Sequence, residues 1–280
     1  MADLIWRCGT RILDLSRPIV MGVLNVTPDS FSDGGLYSDP ISAFQRARAM
    51  LKEGAVILDI GGESTRPGAA PVDASEQIAR VRPILAGLAL DGAVTSVDTR
   101  SAEVAAACVE AGASIINDVA GFREPAMVDV AAGCDAGVVV MHMLGEPGSM
   151  QDEPVYDDVV AEVTRYLKGA ALRLRDAGVA RERIAVDPGI GFGKTLEHNL
   201  ALIAGLDRIA ALGYPVVVGV SRKRFIGAIT GVTEPAERLG GSVAGAVCAA
   251  ERGASVLRVH DVASTVQALA VASAILRERA

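Results

Sequence analysis

Eight apolar runs of strand length recur along this chain, each ending in glycine or a polar residue and each followed by a segment of helical periodicity. They are Ile19–Val26, Val56–Ile60, Val94–Asp98, Ser114–Val119, Gly137–Met141, Ile184–Pro188, Val216–Val220 and Val256–Asp261. Helical patterns lie between them, among others at Ile41–Glu53, Ser75–Ala89, Ala102–Ala111, Val159–Ala177 and His198–Leu212. Gly54, Gly112, Gly178 and Gly213 stand where a glycine would cap a helix C-terminus. Strands alternating with helices imply crossover units and a parallel sheet. An open doubly wound sheet usually has about five to seven strands, whereas eight units close a (β/α)8 barrel. A chain of 280 residues suits one such α/β domain, and no linker, low-complexity tract or charge block marks a boundary. The stretch Trp6–Pro18 is too short for another unit, so residues 1–17 are expected to form a hairpin that plugs the barrel bottom.

Composition agrees with this architecture. Half the residues (50%) are hydrophobic and only 4% aromatic, as suits parallel strands buried on both faces under alanine-rich helices. The net charge of −7 argues against a nucleic-acid partner. The dense basic cluster, Ser221-Arg222-Lys223-Arg224, suits a small anion better than a polyanion. Cys8, Cys108, Cys134 and Cys248 form no CxxC pair and are expected as small buried residues in a reducing cytosol. The segment MADLIWRCGTR lacks the apolar run of about 7–15 residues of a signal peptide. No apolar stretch reaches the roughly 20 residues of a membrane helix. A cytoplasmic enzyme without a membrane partner is the expectation.

The strand ends carry the chemistry. In order they present Asn25, Asp59, Asp98, Asn117 with Asp118, His142, Asp187, Ser221-Arg222-Lys223, and Arg258 with His260. Any one of these could cap a helix or a turn. All eight together, on the barrel rim where active sites sit, describe a polar pocket. Capping does not explain eight of eight, and several unpaired buried carboxylates would each cost several kcal/mol. Two segments, Thr27–Asp39 and Ser64–Ala74, exceed the usual βα loop of about 2–6 residues and are placed to act as lids. Gly191–Thr195 lacks the spacing of a phosphate loop, and His142, His198 and His260 lack the spacing of a metal centre.

Several of these segments have a family look. MGVLNVTPDSFSDGG (Met21–Gly35), GGESTRPGA (Gly61–Ala69), VDT, IIND, MHM, DPGIGFGKT, SRKRFIG and RVHD together resemble the bacterial dihydropteroate synthases, in order from about Ile12 to the last helix. The resemblance implies a TIM-barrel fold, a homodimer and a Mg²⁺ requirement. It implies condensation of 6-hydroxymethyl-7,8-dihydropterin pyrophosphate with p-aminobenzoate to 7,8-dihydropteroate, and a target of sulfonamides. It assigns the pterin to Asp98, Asn117, Asp187 and Lys223, with Met141 and Phe192 packed on the ring and Gly219 among the substrate-binding residues. Pyrophosphate goes to Arg258, His260 and Asn25, and Asn25 also ligates Mg²⁺. Phe31, Thr65, Arg66, Pro67 and Arg222 complete the p-aminobenzoate site, and Asp59 orients the anion site. The reaction needs no general base, so Lys223, Arg258, His260, Asp98 and Asp59 are catalytic in the sense of orienting groups and stabilising charge. Asn25, Arg258 and His260 are expected to form an anion site distinct from the pterin site. Two rivals remain: a pterin-dependent methyltransferase domain, which needs no pyrophosphate site, and a non-catalytic pterin-binding homologue.

Overall fold

The computed structural model describes residues 4–26, 40–63, 72–145, 150 and 154–278. An antiparallel hairpin of β1 (Ile5–Cys8) and β2 (Arg11–Asp14) precedes eight further strands. These are β3 (Ile19–Asn25), β4 (Ile57–Gly61), β5 (Val94–Asp98), β6 (Ile115–Asp118), β7 (Gly137–Met141), β8 (Ile184–Asp187), β9 (Val217–Val218) and β10 (Val256–Val259). All pair in parallel, in the order β8-β7-β6-β5-β4-β3-β10-β9. A bridge between Val186 and Val216, with Val186 N–H donating to Pro215 O at 2.9 Å, joins the two ends of this sheet into a barrel. The β9 ladder is shorter than the run in sequence, and Val216 faces Val186 only as an isolated bridge while its carbonyl accepts from Ser255 and Val256 N–H.

Side chains of successive strand residues alternate between the two faces, and this splits the core in two. Leu58, Ile60, Val97, Ile116, Val138, Val140, Ile184 and Val186 point outward into a continuous layer under the helices. Met21, Ile57, Ile115, Val139, Ala185, Val217 and Val256 point inward and meet Trp6, Cys8, Leu13 and Leu15 of the hairpin. The hairpin thus fills the barrel bottom. Trp6 is fully buried, and its indole N–H donates to Arg183 O at 2.9 Å. A Cβ at Gly137 would lie 2.9 Å from Cys8 Sγ, so β7 must begin with glycine for the plug to seat. Each buried Ile, Leu or Val stabilises by roughly 1.5–3 kcal/mol, and the two layers together make the barrel a rigid frame for its open end.

The helices are α1 (Pro40–Lys52), α2 (Ala74–Leu90), α3 (Ala102–Glu110), α4 (Pro125–Ala132), α5 (Val159–Asp176), α6 (Leu196–Ala204), α7 (Leu206–Ala210), α8 (Arg224–Thr230), α9 (Leu239–Glu251) and α10 (Val262–Arg277). Gly54, Gly112, Gly178 and Gly213 all take positive φ, as helix-ending glycines do. The pattern at His198–Leu212 is two helices rather than one. The backbone leaves helical geometry at Gly205 (φ −99°, ψ 21°), where a Cβ would press on Val160 Cγ1 at 3.1 Å. Cys8 and Cys108 are buried as expected, but Cys248 on α9 is exposed, because it faces away from the strands.

Candidate active site

Above the hairpin the barrel's inward face turns polar. Period-two counting from the apolar bottom layer puts Asn25, Asp59, Asp98, Asn117, Asp187 and Arg258 on that face. Asp59, Asp98, Asn117 and Asp187 are all buried. Arg258 reaches across the barrel: Nε donates to Asp59 Oδ2 and Nη2 to Asp98 Oδ2, each at 2.6 Å. Asn117 Nδ2 donates to the same Asp59 oxygen at 3.2 Å. Asp187 Oδ1 accepts from Gly189 N–H at 2.7 Å. The remaining oxygens, Asp59 Oδ1 and Asp98 Oδ1, are buried with no hydrogen-bond partner among the described residues.

Burial governs the electrostatics. It pushes the Asp98 carboxyl up to about 7 against the pull of Arg258, with Asp59, Asp118 and Asp187 adding repulsion. It raises Asp187 as well, opposed by Lys223, the Gly189 N–H and Arg258. Burial pushes Lys223 down to about 8 despite Asp187 nearby. Burial also works against the Arg258 cation, but Asp59 and Asp98 prevail and hold its proton more tightly than usual. The pocket is therefore a set of carboxylates and cations in close balance, with two acceptor atoms left over.

An apolar cluster lies beside these groups, starting from Met141 on β7, between β6 and β8. Met141 packs with Val119, Met143 and Met150, and Phe192 lies against that cluster. Lys223 Nζ sits 4.6 Å from the centre of the Phe192 ring and donates to Ile190 O. A Cβ at Gly191, which takes φ +84°, would lie 3.2 Å from Lys223 Cδ. Side chains at Gly61 and Gly219 would narrow the mouth. The first would sit 3.5 Å from Asp98 Cβ and 3.6 Å from Asn25 Oδ1, the second 3.8 Å from both Arg258 Cβ and Lys223 Nζ. The barrel mouth is thus bordered by an apolar cluster and by buried carboxylate and carboxamide acceptors.

Residues 21–260 match the model of a family described as pterin binding enzyme. The dihydropteroate synthase of Escherichia coli K12 is 49% identical over 265 residues, 94% of each chain. The chain belongs to the dihydropteroate synthase family. Among solved structures, the Xanthomonas albilineans dihydropteroate synthase with 4-aminobenzoic acid superposes with a TM-score of 0.92 at 48% identity, covering 98% of this chain and 99% of that one. The Burkholderia cenocepacia dihydropteroate synthase complexed with 7,8-dihydropteroate gives 0.91 at 46% identity, covering 99% and 98%.

In this member of the dihydropteroate synthase family, the strand ends divide into two groups. Asn25, Asp59, Asp98, Asn117, Met141, Asp187, Gly219, Lys223 and Arg258 converge on the mouth. Asp118, next to Asn117, points the other way and accepts from Ala120 N–H and Phe122 N–H, both at 2.7 Å; it holds the turn after β6. His142, next to Met141, likewise faces Lys194 rather than the mouth. Arg222 takes a left-handed conformation (φ +60°) and pairs with Asp261 at 3.1 and 2.7 Å, while Lys223 turns inward. The ring of His260 lies 3.0 Å from Ser221 Oγ through Nδ1. Arg258 does not stand apart in an anion site of its own, since its guanidinium bonds directly to Asp98 as well as to Asp59. Phe31, Thr65, Arg66 and Pro67 lie outside the described residues.

Sequence reasoning missed two polar residues here. Ser96 faces Asp59 across the β4–β5 ladder, is fully buried, and its Oγ has no partner among the described residues. Counting back by two from Asp98 would have found it. Lys194 is buried among backbone carbonyls, and nothing local in GFGKT distinguishes it from an exposed lysine.

Proposed function

We propose that this site catalyses the condensation of 6-hydroxymethyl-7,8-dihydropterin pyrophosphate with p-aminobenzoate, giving 7,8-dihydropteroate and pyrophosphate. The observation that carries the reading is the pair of buried acceptors Asp59 Oδ1 and Asp98 Oδ1, without a hydrogen-bond partner among the described residues, beside Asn117 and Asp187. Buried acceptors left unpaired cost about 1–3 kcal/mol each, and a guanidine-like pterin edge supplies the N–H donors they lack. Lys223 meets a ring acceptor, and Met141 and Phe192 pack on the ring face.

Chemistry follows from charge. The C–O bond between the pterin methylene and pyrophosphate breaks, the arylamine nitrogen forms the new C–N bond, and its proton leaves to solvent. Arg258 and His260, close to the rim, take up the negative charge that grows on the leaving oxygen. Arg258 is already charged and oriented by two carboxylates, so little reorganisation accompanies that step. The electron-rich ring bears positive character at the methylene. The loops carrying Phe31, Thr65, Arg66 and Pro67, with Arg222, position the arylamine and exclude water. Asp59 orients Arg258.

Mg²⁺ belongs to this reading. Asn25 Oδ1 stands at the rim between β3 and β4, 3.6 Å from the Cβ position of Gly61, beside the Asp98 side chain. One amide oxygen plus diphosphate oxygens and water is a donor set that Mg²⁺ accepts, and the ion would add charge neutralisation at the leaving group. A homodimer is also part of the proposal. Leu239 on α9 and Val271, Ile275 and Leu276 on α10 expose 39%, 61%, 54% and 40% of their surface along one groove, an apolar face that suits a second copy. Four thiols without disulfides suit a reducing cytoplasm, and no described helix is long and apolar enough to cross a membrane.

The test is turnover. Purified protein with dihydropterin pyrophosphate, p-aminobenzoate and Mg²⁺ should release dihydropteroate and pyrophosphate in equal amounts. Pterin binding without either product would establish the non-catalytic homologue instead.

A further inference from the structure

Lys194 lies behind the pterin site, nearly inaccessible at 3% exposure, and belongs to none of the ligand contacts assigned above. Its ammonium has three acceptors within reach: His142 Nδ1 at 3.0 Å, Phe192 O at 2.8 Å and His142 O at 3.4 Å. Three N–H donors meeting three acceptors is the full complement of a charged lysine. The acceptors come from two different loops, the one after β7 and the one after β8. Other contacts press the same loops together. A Cβ at Gly189 would overlap His142 O, and one at Gly193 would sit 2.8 Å from Leu144 Cβ. Tyr156 Oη, from the chain before α5, donates to Gly193 O at 2.8 Å, while Asn199 Oδ1 on α6 braces the β8 loop itself by accepting from Gly191 N–H at 2.6 Å.

We propose that Lys194 is a positioning residue for pterin recognition: it pins Phe192 and Met141 into one wall and supplies a buried positive charge behind Asp187. The inference rests on the assignment of Asp187 and Phe192 to the pterin. Phe192 is bonded to Lys194 through its carbonyl, and its ring lies over Lys223, so a shift in one propagates to the other. Lys194 is also one of the charges that favour ionised Asp187, after Lys223 and Arg258. The charged groups facing Lys194 are Asp187 from β8 and Lys223 from the β9 turn. His142 faces it from the β7 loop and is pushed down to about 3, by burial and then by Lys194 itself, so it stays a neutral acceptor. Burial pushes Lys194 down to about 7 against the pull of Asp187. A lysine kept at that cost where a methionine would fill the space points to use of its charge.

The experiment measures pterin affinity by calorimetry from about pH 5 to pH 9 for the wild type, Lys194→Met and Lys194→Arg. Lys194→Met should weaken binding about tenfold and move the acid limb of the affinity profile to higher pH, because Asp187 loses a cation that favours its ionisation. Lys194→Arg should lose affinity through poorer fit while leaving the acid limb in place. The KM for p-aminobenzoate at saturating pterin pyrophosphate should change less than twofold in both. If Lys194→Met does not fold, Lys194→Gln, which keeps two donors and drops the charge, carries the same readout. Wild-type affinity and acid limb in the uncharged variant would overturn the role of Lys194. A wild type that binds no pterin would overturn the assigned function instead.

Discussion

Asp98 offers the sharpest quantitative test, because it is asked to serve the ligand at the expense of the empty barrel. A carboxyl held at about 7 rather than its ordinary 3.8 costs the charged form about 4 kcal/mol in the fold, mainly through burial. Its folded pKa lies above its unfolded one, so the fold holds an extra proton between roughly pH 4 and pH 7. Stability therefore falls as pH rises through that window and levels off above it. Asp98→Asn removes the charge but keeps an acceptor for Arg258, with the bond weakened by about 1 kcal/mol. The variant should be more stable than wild type near pH 8, on the order of a few kcal/mol, and no more stable near pH 4. Pterin should bind it about 10–100-fold more weakly, since a charge-assisted bond worth about 1.5–3 kcal/mol is lost. Urea unfolding at the two pH values, with calorimetry on the same preparations, reads both effects. A variant less stable than wild type near pH 8, or a stability difference unchanged between the two pH values, would refute the electrostatic argument.

Arg258→Ala should lower turnover about 10²–10³-fold, the scale of losing one charge-stabilising donor. It should also weaken the bare pterin and destabilise the fold by about 3–5 kcal/mol, because Asp59 and Asp98 lose the cation between them; normal turnover would refute a role for Arg258 in stabilising the leaving group. Gly189→Ala should leave little soluble protein, since a Cβ at φ +66° would overlap His142 O, and a wild-type melting temperature would contradict the packing of the β7 and β8 loops. For Asn25→Ala, pyrophosphate affinity should no longer rise on adding Mg²⁺, as it should in the wild type; an undiminished Mg²⁺ increment would move the metal elsewhere.

What the sequence determined by itself is what local periodicity encodes. Eight apolar runs with helices between them, and glycines able to take positive φ at the helix ends, allow little besides a closed parallel barrel. Polar residues at the strand ends located the rim, and the long motifs brought the family. Tertiary structure decided what depends on partners distant in the chain. Asn117 and Asp118 are neighbours of equal polarity, yet the pleat sends one into the mouth and the other into a turn. Arg222 and Lys223 part in the same way, one to Asp261 and one to the Phe192 ring. Arg258 and Asp59 are 199 residues apart, and only barrel closure makes a single guanidinium serve both Asp59 and Asp98. Lys194 reads in sequence as a lysine that could as well sit in water. Its burial exists because two loops from adjacent strands close over it, and a side chain's solvation follows from that closure rather than from its neighbours in the chain.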